Sequence, residues 1–219
     1  MKSLCKKIIY LIVFVGFSLT YAGSYDDFFS AVKRDDDHAL TALLSRGFDP
    51  NTLNPEGVHA LILALREPSI KAFSVLIHSP KINVEARTLQ DESPLMLAAL
   101  QGLTDLCEQL IAKEADVNKP GWTPLHYAAT NGRVPVMKLL LEKNAYIDAA
   151  SPNGTTPLMM AAQYGTPSSV KLLLEEGADP TIRNDQGFSA LDFAQKGNRP
   201  DSSEIISAFV RSRQPKGTW

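Results

Sequence analysis

The chain has 219 residues, of which 44% are hydrophobic, 21% charged and 8% aromatic, and carries a formal charge of −2. That composition is ordinary for a globular protein and excludes collagen-like, disordered and polytopic membrane classes. A charge so near zero supplies no general attraction for a phosphate backbone, which argues against nucleic acid as a partner. Two cysteines, Cys5 and Cys107, are too few for a disulfide framework.

At the N-terminus, Lys2, Lys6 and Lys7 lead into a twelve-residue apolar run from Ile8 to Leu19, followed by Thr20-Tyr21-Ala22. A basic start, a short apolar core and a small final residue form the pattern of a secretory signal peptide. Residues 1–22 are therefore the expected leader, cleaved between Ala22 and Gly23. The rival reading is a retained anchor, but the run is shorter than the roughly 18–20 residues that span a bilayer, so no stable membrane insertion is expected after cleavage. Cleavage leaves 19 basic residues against 24 acidic ones, a charge near −5, and one cysteine. A lone thiol suits an exported protein that is stabilised by packing. The expected location is the periplasm of a two-membrane bacterial envelope, with secretion as the alternative.

The remainder repeats itself. Aligned on Leu61, Leu95, Leu125, Leu158 and Leu191, the spacings are 34, 30, 33 and 33 residues. Around those leucines stand Ser93-Pro94-Leu95-Met96-Leu97-Ala98-Ala99, Thr123-Pro124-Leu125-His126-Tyr127-Ala128-Ala129 and Thr156-Pro157-Leu158-Met159-Met160-Ala161-Ala162. A hydroxyl before proline predicts a helix N-cap with proline in the first turn, where its missing N–H is harmless. The small Ala-Ala pairs predict close helix packing. Lys138-Leu139-Leu140-Leu141-Glu142 and Lys171-Leu172-Leu173-Leu174-Glu175 predict a second helix with one apolar face. Gly47, Asn144 and Gly177 stand where a left-handed residue ends that helix, and polar turn residues follow. Each unit is thus helix, turn, helix and extended loop, which cannot bury its apolar faces alone.

These phrases resemble the ankyrin repeat. Thr-Pro-Leu-His-x-Ala stands intact at Thr123 to Ala128, the period matches, and the resemblance covers residues 25–211. It implies an all-α solenoid of stacked helix-turn-helix units with projecting β-turn loops, organised as a capping unit over residues 23–57, repeats with a C-terminal cap over 58–211, and a frayed tail at 212–219. Two departures stand out. Lys119-Pro120-Gly121 replaces a full β-turn, so the Asp116–Leu125 segment is three residues shorter than Asp179–Leu191. A stunted finger there is expected to leave Trp122 and the Thr130–Asn131 surface more accessible than their equivalents. The unit at Leu61 has Val58-His59-Ala60 in place of Thr-Pro-Leu and an extra residue near Glu67-Pro68.

Candidates for chemistry are few. Ser168 and Lys171 match a serine–lysine spacing, yet Lys138 holds the same place one repeat earlier, which marks a helix surface. Asp35, Asp36, Asp37 and His38 fit no calcium or zinc pattern and read as a turn. His126, by the resemblance, exchanges hydrogen bonds with Thr123 and nearby backbone. Cys107 aligns with Met137 and Val170 on the inner side of the second helix, as a small hydrophobe. No phosphate loop, Gly-x-Ser-x-Gly or His-Glu-x-x-His motif is present. The expectation is a non-enzymatic monomer without cofactor or metal.

By the resemblance, binding falls to the finger tips and the concave face of the first helices. The alignment places Glu92, Trp122, Thr155 and Phe188 before the helix starts, and Leu100, Gln101, Thr130, Asn131, Gln163 and Tyr164 after the Ala-Ala pairs. Finger tips include Leu89, Gln90, Pro152, Asn153, Asp185 and Gln186. Trp122, Tyr164 and Phe188 are aromatic anchors of the kind that dominate interfaces. Another protein is the expected partner. The readings are an envelope protein that stabilises or assembles an exported partner, an immunity protein against a toxin in the periplasm, or a secreted effector binding host proteins.

Overall fold

The computed structural model describes residues 23–66 and 69–213. The leader, the extra residue at Glu67-Pro68 and the end of the tail lie outside the described residues. The described residues form twelve helices, and the chain divides between Thr88 and Leu89 into two compact units.

The N-terminal unit holds α1 (residues 23–33), α2 (Asp37–Ser45), α3 (Ala60–Arg66) and α4 (Ile70–Ile77). Its core gathers Phe28, Val32, Leu40, Leu61, Ile62, Phe73 and Leu76, all fully buried. The acidic turn is structural. Asp36 caps α2 by accepting from the Ala39 amide at 2.9 Å, and Asp35 reaches one repeat onward to accept from the Ala72 amide of α4 at 2.8 Å. The helix start in the next repeat is His59-Ala60-Leu61, one residue later than Val58-His59-Ala60: the His59 ring nitrogen Nδ1 takes the place of the hydroxyl and accepts from the Leu61 amide at 3.1 Å.

The C-terminal unit holds four pairs: α5 (Pro94–Gln101) with α6 (Thr104–Ala112), α7 (Pro124–Thr130) with α8 (Val134–Glu142), α9 (Pro157–Tyr164) with α10 (Pro167–Glu175), and α11 (Ala190–Lys196) with α12 (Pro200–Arg213). First helices stack in one layer and second helices in another. Leu95, Leu125 and Leu158 are fully buried between layers, as are Met137, Leu140, Val170 and Leu173. Leu191 is half-buried, because no further repeat follows α12 among the described residues to cover it.

Each first helix here starts on the same reciprocal cap. Ser93, Thr123, Thr156 and Ser189 accept from the amide three residues on, while that residue's side chain (Met96, His126, Met159 or Asp192) accepts the cap residue's own amide. Second helices end on left-handed residues at Glu114, Asn144 and Gly177. Loops are tied across repeats by side chains that substitute for backbone. Asn118 donates to the Asn144 carbonyl at 2.8 Å and accepts from the Tyr146 amide at 2.7 Å; in the N-terminal unit Asn51 does the same to Lys81 and Asn83.

Candidate interaction surface

Helix period places the fourth and eighth residues after each N-cap on one face. Read down the C-terminal unit, that face carries Leu97 and Gln101, Tyr127 and Asn131, Met160 and Tyr164, then Phe193. Tyr164 is 52% exposed and Phe188, at the base of the last finger, 39%. Phe188 meets Phe193 edge-on with centroids 6.5 Å apart, and the Lys196 ammonium stands 5.4 Å from its ring centre. The Tyr127 hydroxyl donates to Glu92 Oε1 at 3.2 Å, and burial together with that carboxylate pushes its pKa up to about 12, so it stays a donor.

Two expectations are corrected. Thr155 is only 2% exposed: its amide donates to Ser151 Oγ at 3.0 Å and its carbonyl accepts from His126 Nε2 at 2.9 Å, so it is finger framework and offers no surface. Trp122 is half-buried, more accessible than its equivalent Thr155 but less so than Phe188, so the expected notch is not distinctive. The short loop draws inward instead of leaving a gap. Lys119 is buried in an ion pair with Asp91, a Cβ at Gly121 would lie 3.6 Å from Pro152 Cγ, and the Trp122 ring stands edge-on to His126 at 5.2 Å. Thr130 is half-buried with its hydroxyl on the His126 carbonyl, whereas Asn131 is exposed and donates to the Leu100 carbonyl at 3.0 Å.

Other predicted positions lie where the alignment puts them. Leu100, Gln101, Gln163 and Glu92 are half-buried at the ends of the first helices or beside them. Leu89, Gln90, Pro152, Asn153, Asp185 and Gln186 are exposed on the fingers. Sequence reasoning missed Tyr127, Met160 and Phe193, which the fourth-residue register identifies, and Arg133, Lys196 and Arg199 at or just beyond the ends of the first helices.

No chemistry is poised at the singled-out polar groups. His126 accepts from the Thr123 amide at Nδ1 (3.2 Å) and donates from Nε2, and burial holds its pKa down at about 4. Cys107 is fully buried, which pushes its thiol up to about 12. Ser168 is exposed, and Lys171 pairs with Glu175 at 3.7 Å on the outer helix.

Stacked helix pairs, reciprocal caps and finger loops around a partly exposed aromatic face define an ankyrin-repeat scaffold, a fold that typically binds proteins without catalysis. The chain belongs to the ankyrin-repeat family: the family model "Ankyrin repeats (3 copies)" matches residues 28–120, 76–151, 95–184 and 146–211. It is 31% identical over 113 residues to neurogenic locus notch homolog protein 1 of Xenopus laevis, covering 50% of this chain and 4% of that protein. It is 40% identical over 109 residues to palmitoyltransferase AKR1 of Lachancea kluyveri, covering 47% of this chain and 15% of that one. The chain thus spans a small part of the curated relatives it matches. Among solved structures, a chain of the Bd0816 predatory endopeptidase from Bdellovibrio bacteriovorus in complex with immunity protein Bd3460 superposes with a TM-score of 0.71 at 26% identity, over 83% of this chain and 97% of that one. The ankyrin repeat protein EF0377 gives 0.73 at 26% identity, over 83% and 96%. The human ASB11 ankyrin repeat domain gives 0.72 at 29%, over 87% and 84%.

Proposed function

We propose that this chain is a non-catalytic, exported ankyrin-repeat protein that binds a protein partner in the bacterial envelope through the first-helix face of its C-terminal unit. The observation that carries the reading is the exposed aromatic pair Tyr164 and Phe188 beside the Tyr127–Met160–Phe193 stripe. Large aromatic side chains left in water on a rigid stack gain most by being covered. Export rests on Lys2, Lys6, Lys7, the short apolar run and Ala22. No helix among the described residues is long and apolar enough to cross a membrane.

The immunity reading is the favoured specific form, and its support is the likeness to a chain of an endopeptidase–immunity protein complex. Such a protein would block a toxin or hydrolase that acts in the same compartment. The accessory role, stabilising or assembling an exported enzyme, is the alternative. Affinity purification from envelope extract, with mass spectrometry of co-eluting proteins, supplies the partner. Tyr164→Ala is then expected to weaken its binding by roughly 2 kcal/mol without lowering the melting temperature. Lys138→Ala and Lys171→Ala, on the second helices, leave it unchanged. Binding lost in the second-helix variants and kept in Tyr164→Ala would place the interface on the other layer.

A further inference from the structure

Cations in the C-terminal unit are unevenly paired. On the fingers, Lys119 is paired with Asp91, and Arg183 with Asp192 at 3.4 Å. At the opposite ends of the first helices, Arg133, Lys196 and Arg199 are all exposed, and none has a carboxylate within ion-pair distance among the described residues. Neutral groups hold them in place. Arg133 Nε donates to the Leu100 carbonyl at 3.1 Å, while Arg199 donates from Nε to the Gln163 carbonyl at 3.1 Å and from Nη2 to the Tyr164 carbonyl at 2.8 Å. Those carbonyls end α5 and α9, where orphan acceptors and the negative pole of the helix attract a guanidinium. Each guanidinium keeps further N–H donors uncommitted. Lys196 stands over the Phe188 ring.

This cationic rim adjoins the exposed aromatics. Arg199 is bonded to the backbone of Tyr164 itself, and Lys196 lies on Phe188. A partner that covers Tyr164 and Phe188 must also desolvate Lys196 and Arg199. Burying those charges is costly unless the partner brings opposite charge, and a basic partner would be repelled. The requirement is unusual for a chain whose own net charge is negative.

We propose that this corner docks an acidic segment of a partner protein, in which carboxylate side chains flank an aromatic or aliphatic residue. The apolar part of the segment covers Tyr164 and Phe188, and the carboxylates meet Lys196 and Arg199, with Arg133 extending the rim. The inference rests on the protein-binding reading of the same face and adds the chemistry of the partner.

The test selects displayed random peptides of about twelve residues on the full chain. Selected peptides are then titrated by fluorescence anisotropy against Lys196→Glu, Arg199→Gln and Tyr164→Ala, each checked by thermal melting. The expected peptides are enriched in Asp and Glu beside a large apolar residue. They bind Lys196→Glu about fivefold or more weakly, and weaken as salt rises from roughly 50 to 300 mM. A selection without acidic enrichment, or acidic peptides indifferent to both Lys196→Glu and Arg199→Gln, overturns the proposal. If neutral peptides emerge that still lose affinity in Tyr164→Ala, the acidic assignment falls and the protein-binding face stands. Peptides indifferent to Tyr164→Ala as well overturn both. A labelled single-stranded oligonucleotide that binds more tightly than any peptide, and is released by Lys196→Glu, overturns the choice of a protein partner.

Discussion

At His126 the sequence offers an imidazole and the fold uses it as a brace. It occupies the third position of a helix cap that Met96, Met159 and Asp192 fill in the other repeats. His59 is a second buried imidazole, accepting from the Leu61 amide and facing Asn51 Oδ1 at 3.2 Å. Burial holds both at a pKa of about 4 from an ordinary 6.5. The unfolded chain therefore takes up protons first as the medium is acidified. Stability from these groups is complete above about pH 6.5 and is lost as pH falls from there toward 4, by roughly 3 kcal/mol for each histidine. Urea unfolding across that range should show the decline. In His126→Met, which installs the residue two sister repeats already use, the slope should fall by one proton's worth while the fold persists. An unchanged slope would mean that the His126 imidazole is protonated in the folded chain.

At the scale of the element, repeat register converts one leucine into a statement about another. Leu140 and Leu173 are both fully buried, at the same place in α8 and α10, one repeat apart. Truncating either to Ala should cost roughly 2–5 kcal/mol, measured by denaturant unfolding, and the two losses should be similar because the cavities are equivalent. What was legible in the sequence was what recurs: the capped helix starts, the Ala-Ala pairs, the leucine positions and the left-handed exits at Gly47, Asn144 and Gly177. What was not legible came from single departures. Glu114 takes a left-handed backbone (φ 66°) that sequence alone assigns to glycine or asparagine, because the loop register of its neighbours imposes it. Trp122 was expected in an open notch. Only the structure shows Lys119 folded under the loop onto Asp91, a pairing across repeats that no period announces. The apolar stripe through Tyr127, Met160 and Phe193 follows from helix period alone, four residues after each N-cap.

Across the whole molecule, the division between Thr88 and Leu89 sets unequal halves against the requirement that repeats bury one another. The N-terminal unit has two helix pairs and the C-terminal unit four. A repeat covers its apolar face only with neighbours, and about three are needed for a stable stack. At the division Leu89 is 93% exposed, followed by exposed Gln90 and Asp91, in a segment without helix. Such a stretch fits a protease cleft, whereas bonds inside the capped helices do not. Brief digestion with chymotrypsin should therefore cut first, within the folded region, after Leu89. The product from residue 90 onward, with four pairs and its own core from Leu95 to Ile206, should then persist. The N-terminal product should be degraded soon after release, since its two pairs are too few to stand alone. Mass spectrometry of a digestion time course gives both observations. Survival of the N-terminal product for as long as its partner would show that Phe28, Phe73 and their neighbours form a core sufficient in itself. An earlier cut elsewhere in the folded region would show that the loop at Leu89 is held more firmly than its exposure implies.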